Sequence, residues 1–390
     1  MHILIIPSEH LVTESAPLAG VFQYEQAQAL SDAGYKVGVI SVGFVTLRYL
    51  FKKYSYKRRE SFDNLNLFRK YKRLTLPHRY YPFKILKNKY LALFFKEFDD
   101  YIKNNGKPDV VHAHNFLYAG CIAKELKQRY GLPFILTEHS SSFARGSVPT
   151  SIDKDLTEVC NQANALTCVS SAFSTVLNKR LNFAFDVFHN IVDNSFFSLK
   201  LNDNKNKNFT FLNVASLDAN KNQRLLLLVF AEQFKNQSIQ LKIIGDGPLM
   251  TELITLSEKL GISPQVEFLG RLPRNEVRNQ MLNAHCFVLP SNYETFGVVL
   301  IEALASGLPL IATKCGGPED IVNQSNGILV DTENQEQLGD AMQAMVQDYY
   351  KNSLKAFNPQ NLRNESLEKF GEQAFVTNAI NYYKQAIEAN

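Results

Sequence analysis

Residues 291–313 read SNYETFGVVLIEALASGLPLIAT. An apolar run ends at Ser291, a short loop follows, and a helix is predicted to begin near Phe296 and Gly297. The first backbone N–H groups of a helix have no partner within the helix and lie at the positive end of its dipole. The segment from Thr295 to Val298 therefore predicts a turn that can bind an anion such as a phosphate.

Two glutamates flank this predicted turn. Glu302 follows Glu294 by eight residues, which is a rise of about 12 Å if the residues between them are helical. Two carboxylates on either side of an anion site suit a long ligand with hydroxyl groups at both ends, such as a sugar nucleotide. The alternative is that Glu302 is a solvated residue on the outside of the helix.

Strands and helices alternate along the whole chain. Short apolar runs such as HILIIP at 2–7 and FTFLNVAS at 209–216 are separated by helix-like stretches. This pattern predicts parallel sheets covered on both faces, in which ligands bind beyond the carboxyl ends of the strands. The polar segment LNDNKNKN at 201–208 is typical of a linker. We therefore predict an α/β protein with two doubly wound, Rossmann-like domains that face each other across a cleft.

Cysteine usage and hydropathy favour one compartment. The 390 residues include five cysteines without a C-x-x-C pair, which argues against a disulfide framework or a zinc ribbon. The N-terminal MHILIIPSEH has no basic segment and no small-residue cleavage site. The longest apolar runs fall far short of the roughly 20 residues that span a bilayer. We expect a cytoplasmic protein.

Positive charge is concentrated in residues 48–90. This segment holds 14 Lys and Arg, two acidic residues and eleven aromatic residues, in a chain whose net charge is +4. Three interpretations are nucleic-acid binding, a solvated charged loop and an anionic membrane surface. None of the usual nucleic-acid-binding patterns is present in the sequence, so we expect no nucleic-acid partner. The dense alternation of apolar and cationic residues favours the membrane surface.

The order and spacing of several motifs resemble the family-4 retaining glycosyltransferases of GT-B fold. The resemblance rests first on Glu294-x7-Glu302 with its flanking TFG, and on Lys221 as the basic residue of a family signature. Further matches, which extend the resemblance over nearly the whole chain, are LAG at 18–20, VVHAHN at 110–115, LTEH at 136–139, GDGP at 245–248, EALASGLP at 302–309 and GGPED at 316–320.

The resemblance implies three parts of the chain and a role for individual residues. Residues 1–195 would form an acceptor-side domain, 196–371 a nucleotide-sugar-binding domain, and 372–390 a C-terminal helix that crosses back to the first domain. The implied catalytic residues are Glu294 on the sugar hydroxyls, Lys221 on the diphosphate and His114 near the donor sugar. The other implied positions are Glu302 on the ribose, donor contacts from Gly20, Gly245, Arg271, Thr295, Phe296, Gly297 and Val298, and acceptor-side residues Glu138 and His139.

Two positions depart from the family pattern. Ser216 stands where the family usually has an arginine that pairs with Lys221 on the diphosphate, and Ala19 stands where a second glycine is usual. Loss of a guanidinium removes a bidentate phosphate contact. Either another arginine such as Arg224 or Arg271 replaces it, or the leaving group is stabilised less strongly.

The histidines raise the question of a metal. His112, His114 and His139 could be considered as ligands, but no carboxylate is suitably spaced, and the family does not usually hold a catalytic metal. We expect no metal site, with His112 a structural residue.

These observations predict a retaining, metal-independent hexosyltransferase without a cofactor. It would move a hexose from a nucleoside diphosphate sugar, such as a UDP-sugar, to a glycan or lipid-linked acceptor in cell-surface polysaccharide or glycolipid synthesis. It would be peripheral on the cytoplasmic face of the membrane, through residues 48–90. One alternative is a sugar-nucleotide 2-epimerase of the same architecture, and another is a non-catalytic sugar-nucleotide-binding subunit.

Overall fold

The chain divides into two compact units. The computed structural model describes residues 1–8, 11, 20–45, 58–74, 76, 80–198, 200–201 and 206–390. The first unit comprises Met1–Ile191 together with Glu372–Asn390, and the second comprises Val192–Gly371. The sequence placed the first boundary at 195/196, four residues after the division between Ile191 and Val192.

The first unit is built on one twisted sheet of eight strands within the described residues. Their order is β3-β4-β2-β1-β5-β6-β7-β8, and every pairing is parallel except that of β3 with β4. The central strands are continuously buried, as expected for a parallel sheet covered by helices. The strands are β1 His2–Ile6, β2 Lys36–Val45, β3 Arg59–Phe62, β4 Leu65–Arg73, β5 Val110–His114, β6 Phe134–Glu138, β7 Ala165–Cys168 and β8 Asp186–Val187.

Helices connect these strands. Several begin or end with a residue suited to that position, such as Ser170, whose hydroxyl accepts the N–H of Phe173, and Gly131 in the left-handed region. The helices are α1 Val21–Asp32, α2 Phe83–Asn105, α3 Cys121–Tyr130, α4 Ser141–Ala144, α5 Asp153–Gln162 and α6 Ser171–Leu181.

The second unit is built on a wholly parallel sheet of six strands within the described residues. Its order is β11-β10-β9-β12-β13-β14, so the strand order reverses direction between β9 and β12. Ligands of doubly wound sheets bind at such a reversal. The strands are β9 Phe209–Val214, β10 Ile239–Ile244, β11 Val266–Gly270, β12 Cys286–Leu289, β13 Leu310–Thr313 and β14 Gly327–Val330, and the helices are α7 Gln223–Phe234, α8 Met250–Leu260, α9 Arg274–Asn283, α10 Val298–Ala305, α11 Gln335–Asn352 and α12 Pro359–Phe370.

The C-terminal helix, α13 (Glu372–Glu388), packs in the first unit. Phe375, Ala379 and Tyr383 are buried in the same apolar cluster as Ile3 and Val39 of the central strands. Burying these side chains stabilises the helix against the sheet at about 25 cal/mol per Å² of apolar surface. The terminal segment of the chain is thus part of the first unit's core.

The segment 48–90 differs most from its sequence interpretation. Residues 48–57, 75 and 77–79 lie outside the described residues, but much of the rest forms the β3–β4 hairpin and the start of α2. Leu65, Leu67 and Tyr71 are buried at alternate positions of β4, which pairs with β2. Two aromatic residues of this segment, Phe68 and Tyr71, therefore belong to the core and are not available to a membrane. Within the described residues, no helix is long and apolar enough to cross a bilayer.

Candidate functional site

Lys221 and Glu294 meet at the carboxyl ends of β9 and β12. The Nζ of Lys221 donates to Oε1 of Glu294 at 2.5 Å, and the hydroxyl of Ser291 donates to the same oxygen at 2.7 Å. Both side chains of the ion pair are mostly buried. A lysine and a hydroxyl on one carboxylate form a charge-assisted network that orients the carboxylate. Two of the three residues that the resemblance implied for catalysis therefore lie in contact, whereas the third, His114, belongs to the first unit.

The loop that carries Lys221 is held by short-range hydrogen bonds. The hydroxyl of Ser216 donates to Oδ2 of Asp218 at 2.6 Å, while Oδ1 of Asp218 accepts the backbone N–H groups of Asn220 and Lys221 at 2.9 and 3.3 Å. An aspartate that accepts N–H groups two and three residues ahead fixes a turn. Ser216 is thus part of the support of this turn.

Gly245 of the GDGP motif packs against the loop that carries Lys221. A Cβ at Gly245 would lie 1.8 Å from the carbonyl oxygen of Ala215, and one at Gly247 would lie 2.3 Å from that of Leu217. Only glycine allows two backbones to approach this closely. The structure thus gives this motif a packing function, and a contact of Gly245 with a ligand stays a prediction.

The turn before α10 is built from backbone. Gly297 has φ 94° and precedes the helix without a side-chain cap, so the first amides of Val298 and its neighbours are presented at the helix N-terminus. Phe296 is buried against Phe370, at 5.8 Å between ring centroids. Gly317 lies under this turn, where a Cβ would approach the Cα of Phe296 to 2.2 Å. The GGPED motif therefore shapes the predicted anion-binding turn.

Glu302 is paired with Arg274, which the sequence had not identified. The Nη2 of Arg274 donates to Oε1 of Glu302 at 2.9 Å, and the guanidinium lies 5.4 Å from the ring centre of Phe196. Burial raises the pKa of Glu302, and the charge of Arg274 acts against that rise. Glu302 is therefore a largely buried, partnered carboxylate, which excludes the alternative of a solvated helix residue.

The two arginines considered as substitutes at position 216 lie on the surface. Arg224 is exposed and pairs with Glu252 on α8 at 3.8 Å. Arg271, which directly follows β11, is also exposed. In this structure Arg224 is directed to α8, and its contact with a diphosphate, like that of Arg271, stays untested.

His112, His114 and His139 form a buried cluster in the first unit. The Nδ1 of His114 lies 2.9 Å from Nε2 of His139, while His112 is bonded through both ring nitrogens to the hydroxyls of Tyr383 and Thr137, each at 2.8 Å. Burial lowers the pKa of His112 and of His139 to about 3 and lowers that of His114. All three are neutral at pH 7, and His112, buried with both ring nitrogens bonded, has the partners expected of a structural residue.

Glu138 connects the segment after β5 to the segment after β6 through hydrogen bonds. Its two carboxyl oxygens accept the backbone N–H of Phe116 at 2.8 Å, of Ser140 at 2.8 Å and of His139 at 3.1 Å. Burial raises the pKa of Glu138 to about 7, although the three N–H groups favour the ionised form. The carboxylate is thereby engaged by backbone, and an acceptor contact from Glu138 or His139 stays a prediction.

Gly20 lies at the start of α1, as the sequence predicted for a glycine-rich turn. It has φ 64° and ψ 18°, in the left-handed region, and a Cβ there would lie 3.3 Å from Leu11. Residues 18 and 19 lie outside the described residues. The site roles of Gly20 and of the amides from Thr295 to Val298 stay predictions.

Two family models match consecutive parts of the chain. The model described as "Glycosyl transferases group 1" matches residues 194–363, and "Glycosyltransferase Family 4" matches residues 19–196. A similar protein is the gpi3 subunit of the phosphatidylinositol N-acetylglucosaminyltransferase of Schizosaccharomyces pombe, 28% identical over 85% of this chain and 70% of that protein. A glycosyltransferase of Methanocaldococcus jannaschii is 23% identical, with 93% of each chain covered.

Solved structures share the whole architecture. The chain is similar to sucrose-phosphate synthase from Thermosynechococcus elongatus, with a TM-score of 0.75 at 20% identity and 100% of both chains covered. It is also similar to Anabaena HepE in complex with UDP, with a TM-score of 0.71 at 16% identity, covering 98% and 100% of the two chains.

The fold is therefore GT-B, as predicted. The chain belongs to the group 1 glycosyltransferases of the family-4 type, and it is a glycosyltransferase.

Proposed function

We propose that this glycosyltransferase moves a hexose from a nucleoside diphosphate sugar, with retention of anomeric configuration, to a glycan or lipid-linked acceptor. The observation that carries the proposal is the contact of Lys221 with Glu294, at the carboxyl edge of the sheet and directly before the uncapped N-terminus of α10. One cation, one oriented carboxylate and a helix N-terminus are what a sugar diphosphate requires.

In this mechanism the leaving group is stabilised by fixed charges. Cleavage of the anomeric C–O bond gives an oxocarbenium-like sugar while negative charge builds on the diphosphate. Lys221 and the first amides of α10 meet that charge, and Glu294 accepts hydrogen bonds from the hexose hydroxyls. Donors aimed at a developing charge contribute most of the catalysis in such a site. Glu302, oriented by Arg274, holds the ribose.

No metal or cofactor has a role in this scheme. The chain contains one D-x-D triplet, Asp153–Asp155, of the kind that can hold a divalent ion. Its carboxylates are engaged in ion pairs, Asp153 with Arg180 at 2.6 Å and Asp155 with Lys87. The charge on the diphosphate is therefore assigned to Lys221 and backbone amides.

The relatives support the substrate classes. Anabaena HepE is described in complexes with UDP and with UDP-glucose, which favours a UDP-sugar donor here. The gpi3 subunit is part of a phosphatidylinositol N-acetylglucosaminyltransferase, and the chain is also similar in fold to a lipopolysaccharide outer core galactosyltransferase. Both names favour a glycolipid or surface glycan as acceptor. We propose that the transfer takes place on the cytoplasmic face of a membrane.

Docking on an anionic membrane is also part of the proposal, on a smaller surface than the sequence indicated. Arg58 pairs with Glu97, Arg59 with Asp100 and Arg69 with Glu60, so these cations are neutralised within the protein. The exposed apolar residues of the described part of 48–90 include Leu76, Tyr80 and Ile85, and the exposed cations there include Lys72, Arg73, Lys84 and Lys89.

The experiment that tests the activity is a donor panel. Purified protein is incubated with UDP-, GDP- and ADP-hexoses, with and without excess EDTA, and the released nucleotide and the first-formed sugar anomer are followed by proton NMR. We expect hydrolysis or transfer with one donor, the same anomer as in the donor, and full activity in EDTA. Formation of a 2-epimer would instead identify an epimerase, and loss of activity in EDTA would overturn the metal-independent scheme.

A further inference from the structure

A chain of hydrogen bonds runs through the core of the first unit from α13 to β7. The hydroxyl of Tyr383 lies 2.8 Å from Nδ1 of His112, and Nε2 of His112 lies 2.8 Å from the hydroxyl of Thr137. The hydroxyls of Thr137 and Thr167 are 2.6 Å apart, and Thr167 donates to the backbone carbonyl of Leu136 at 3.1 Å. All four side chains are fully buried, so solvent does not compete for these bonds.

The last bond of this chain fixes the direction of the others. A carbonyl only accepts, so Thr167 gives its one hydroxyl proton to Leu136 and must accept from Thr137. Thr137 has then used its own proton and must accept from an N–H at Nε2 of His112. Burial lowers the pKa of His112 to about 3, so the ring is neutral and its Nδ1 accepts the proton of Tyr383. The bonds therefore select the Nε2–H tautomer of His112.

His112 in turn supports the ring of His114, two residues further along β5. Residues two apart on a strand point to the same side, and the two rings stack with centroids 4.2 Å apart and 30° between their planes. Nδ1 of His114 is bonded to His139 at 2.9 Å, whereas its buried Nε2 has no hydrogen-bond partner within the described residues. A buried polar atom without a partner is destabilising until a ligand satisfies it.

The orientation of the His112 ring depends on both ends of the chain. Its two partners lie on different elements, Tyr383 on α13 and Thr137 on β6, so together they fix the rotation of the ring about its bond to the backbone. If either bond is lost, the ring can turn, and the flat surface on which His114 stacks turns with it. The hydroxyl of Tyr383 thereby acts on His114 without contacting it.

We propose that Tyr383 is a positioning residue of the transferase, which holds the ring of His112 and through it orients His114. The C-terminal helix would then support the site as well as the core. This inference rests on the proposed function and on the implied place of His114 near the donor sugar. Because the nucleotide is held in that scheme by Lys221 and Glu302 of the second unit, loss of the Tyr383 hydroxyl should affect turnover and not the binding of free UDP.

The first test compares Tyr383→Phe with Tyr382→Phe in the full chain. Each variant loses one hydroxyl of α13 and keeps the ring, but Tyr382 donates to Asp186 at 3.3 Å and not to a histidine. We expect Tyr383→Phe to lower the turnover number for nucleotide release from the donor by roughly three- to tenfold, or about 0.7–1.4 kcal/mol of barrier, the range of one neutral hydrogen bond. Tyr382→Phe should turn over like the wild type, and both variants should bind UDP equally.

The second test measures the tautomer of His112 in the absence of substrate. Nitrogen-15 NMR of histidine-labelled protein distinguishes protonated from unprotonated ring nitrogens, and the resonances of His112 are those absent from His112→Gln. We expect a proton on Nε2 and none on Nδ1 in the wild type. Thr137→Val keeps the shape of threonine but cannot accept, so His112 should change to the Nδ1–H tautomer with Tyr383 as acceptor. Thr137→Ser keeps the hydroxyl and should keep the wild-type tautomer.

Three results would overturn the inference: a proton on Nδ1 of His112 in the wild type, the same tautomer in Thr137→Val as in Thr137→Ser, or equal turnover by Tyr383→Phe and Tyr382→Phe. UDP affinity is measured on the same samples. If the wild type binds UDP and uses a sugar nucleotide but one of these three results is found, only this inference fails. If the wild type neither binds UDP nor acts on any sugar nucleotide, the proposed function fails.

Discussion

Replacing Arg274 by methionine should uncover the role of Glu302. The change removes the guanidinium that donates to Glu302 at 2.9 Å and keeps a side chain of similar length. Burial already raises the pKa of Glu302, and Arg274 opposes that rise, so the pKa should climb further in the variant. A ribose hydroxyl bonds more strongly to a carboxylate than to a carboxylic acid. UDP binding by Arg274→Met should therefore be weakest at acidic pH and recover as the pH rises.

The size of the expected loss in UDP affinity follows from the loss of a charged hydrogen-bonding partner. Such a contact contributes about 1.5–3 kcal/mol, which corresponds to roughly 10- to 150-fold in UDP affinity.

The stability of the folded variant should change with pH in the opposite direction to its UDP affinity. A carboxyl group whose pKa is raised in the folded state stabilises the protein at low pH, and that stability is lost as the pH rises through the folded-state pKa. The melting temperature of the variant should therefore fall with pH while its UDP affinity rises.

Calorimetric titration with UDP and thermal melting, each from mildly acidic to mildly alkaline pH, measure the two trends. Arg129→Met is the matched control, since this exposed arginine pairs with Glu125 one turn earlier on α3, in the first unit. Arg274→Lys should restore much of the affinity because it restores a positive charge. If Arg274→Met binds UDP like the wild type at every pH, or with a loss that does not change with pH, Arg274 does not act through Glu302.

Three further tests address the other parts of the scheme. Lys221→Ala should remove nearly all transfer and leave the melting temperature of the unliganded protein unchanged. If the activity stays within about threefold of wild type, which is a rise of less than about 0.7 kcal/mol in the activation barrier, another cation holds the diphosphate. Glu294→Ala should lower turnover with UDP affinity nearly intact, whereas Glu302→Ala should weaken UDP binding, and equal losses of affinity would contradict the assignment. Replacing the three exposed cations Lys72, Arg73 and Lys84 by Gln should weaken binding to anionic vesicles by about 3 kcal/mol, at roughly 1 kcal/mol per cation. Vesicle sedimentation compares this triple variant with a control in which Lys259, Lys351 and Lys355 become Gln, and the membrane proposal fails if the two variants bind alike.

The elements that build the two sheets could be predicted because each is a compact apolar run. The apolar run at 209–216 contains β9, Phe209–Val214, and the run at 2–7 extends one residue beyond β1. The contact of Lys221 with Glu294 could also have been predicted, since both residues follow strands whose carboxyl ends lie at the same edge of the sheet. These are consequences of burial and topology, which leave a direct pattern in the sequence.

Features that depend on a single side-chain or backbone conformation left no such pattern. Arg274 begins α9 after a proline, as many surface arginines do, and only the fold brings it to Glu302. The positive φ of Tyr118 could not be read from a tyrosine, because the stacking of Tyr90 that fixes it comes from a helix elsewhere in the chain. In β4, the cations Lys70 and Lys72 flank Tyr71 and so obscured a strand that is largely buried from Leu65 to Tyr71.

Position 216, where the chain has Ser instead of the family's Arg, has a different role in this structure. In the related enzymes that the sequence resembles, an arginine there adds a second cation beside the lysine. Here Ser216 is too short to reach a ligand in its place, and its hydroxyl is directed to Asp218, whose other oxygen orders the backbone N–H of Lys221. The position therefore contributes order to the turn instead of charge to the site. Since Lys221 is also fixed at its Nζ by Glu294, this lysine is held at both ends. In the proposed role of Lys221, an ordered lysine loses less conformational entropy when the diphosphate binds, which offsets part of the Coulomb attraction that an arginine at position 216 would have supplied.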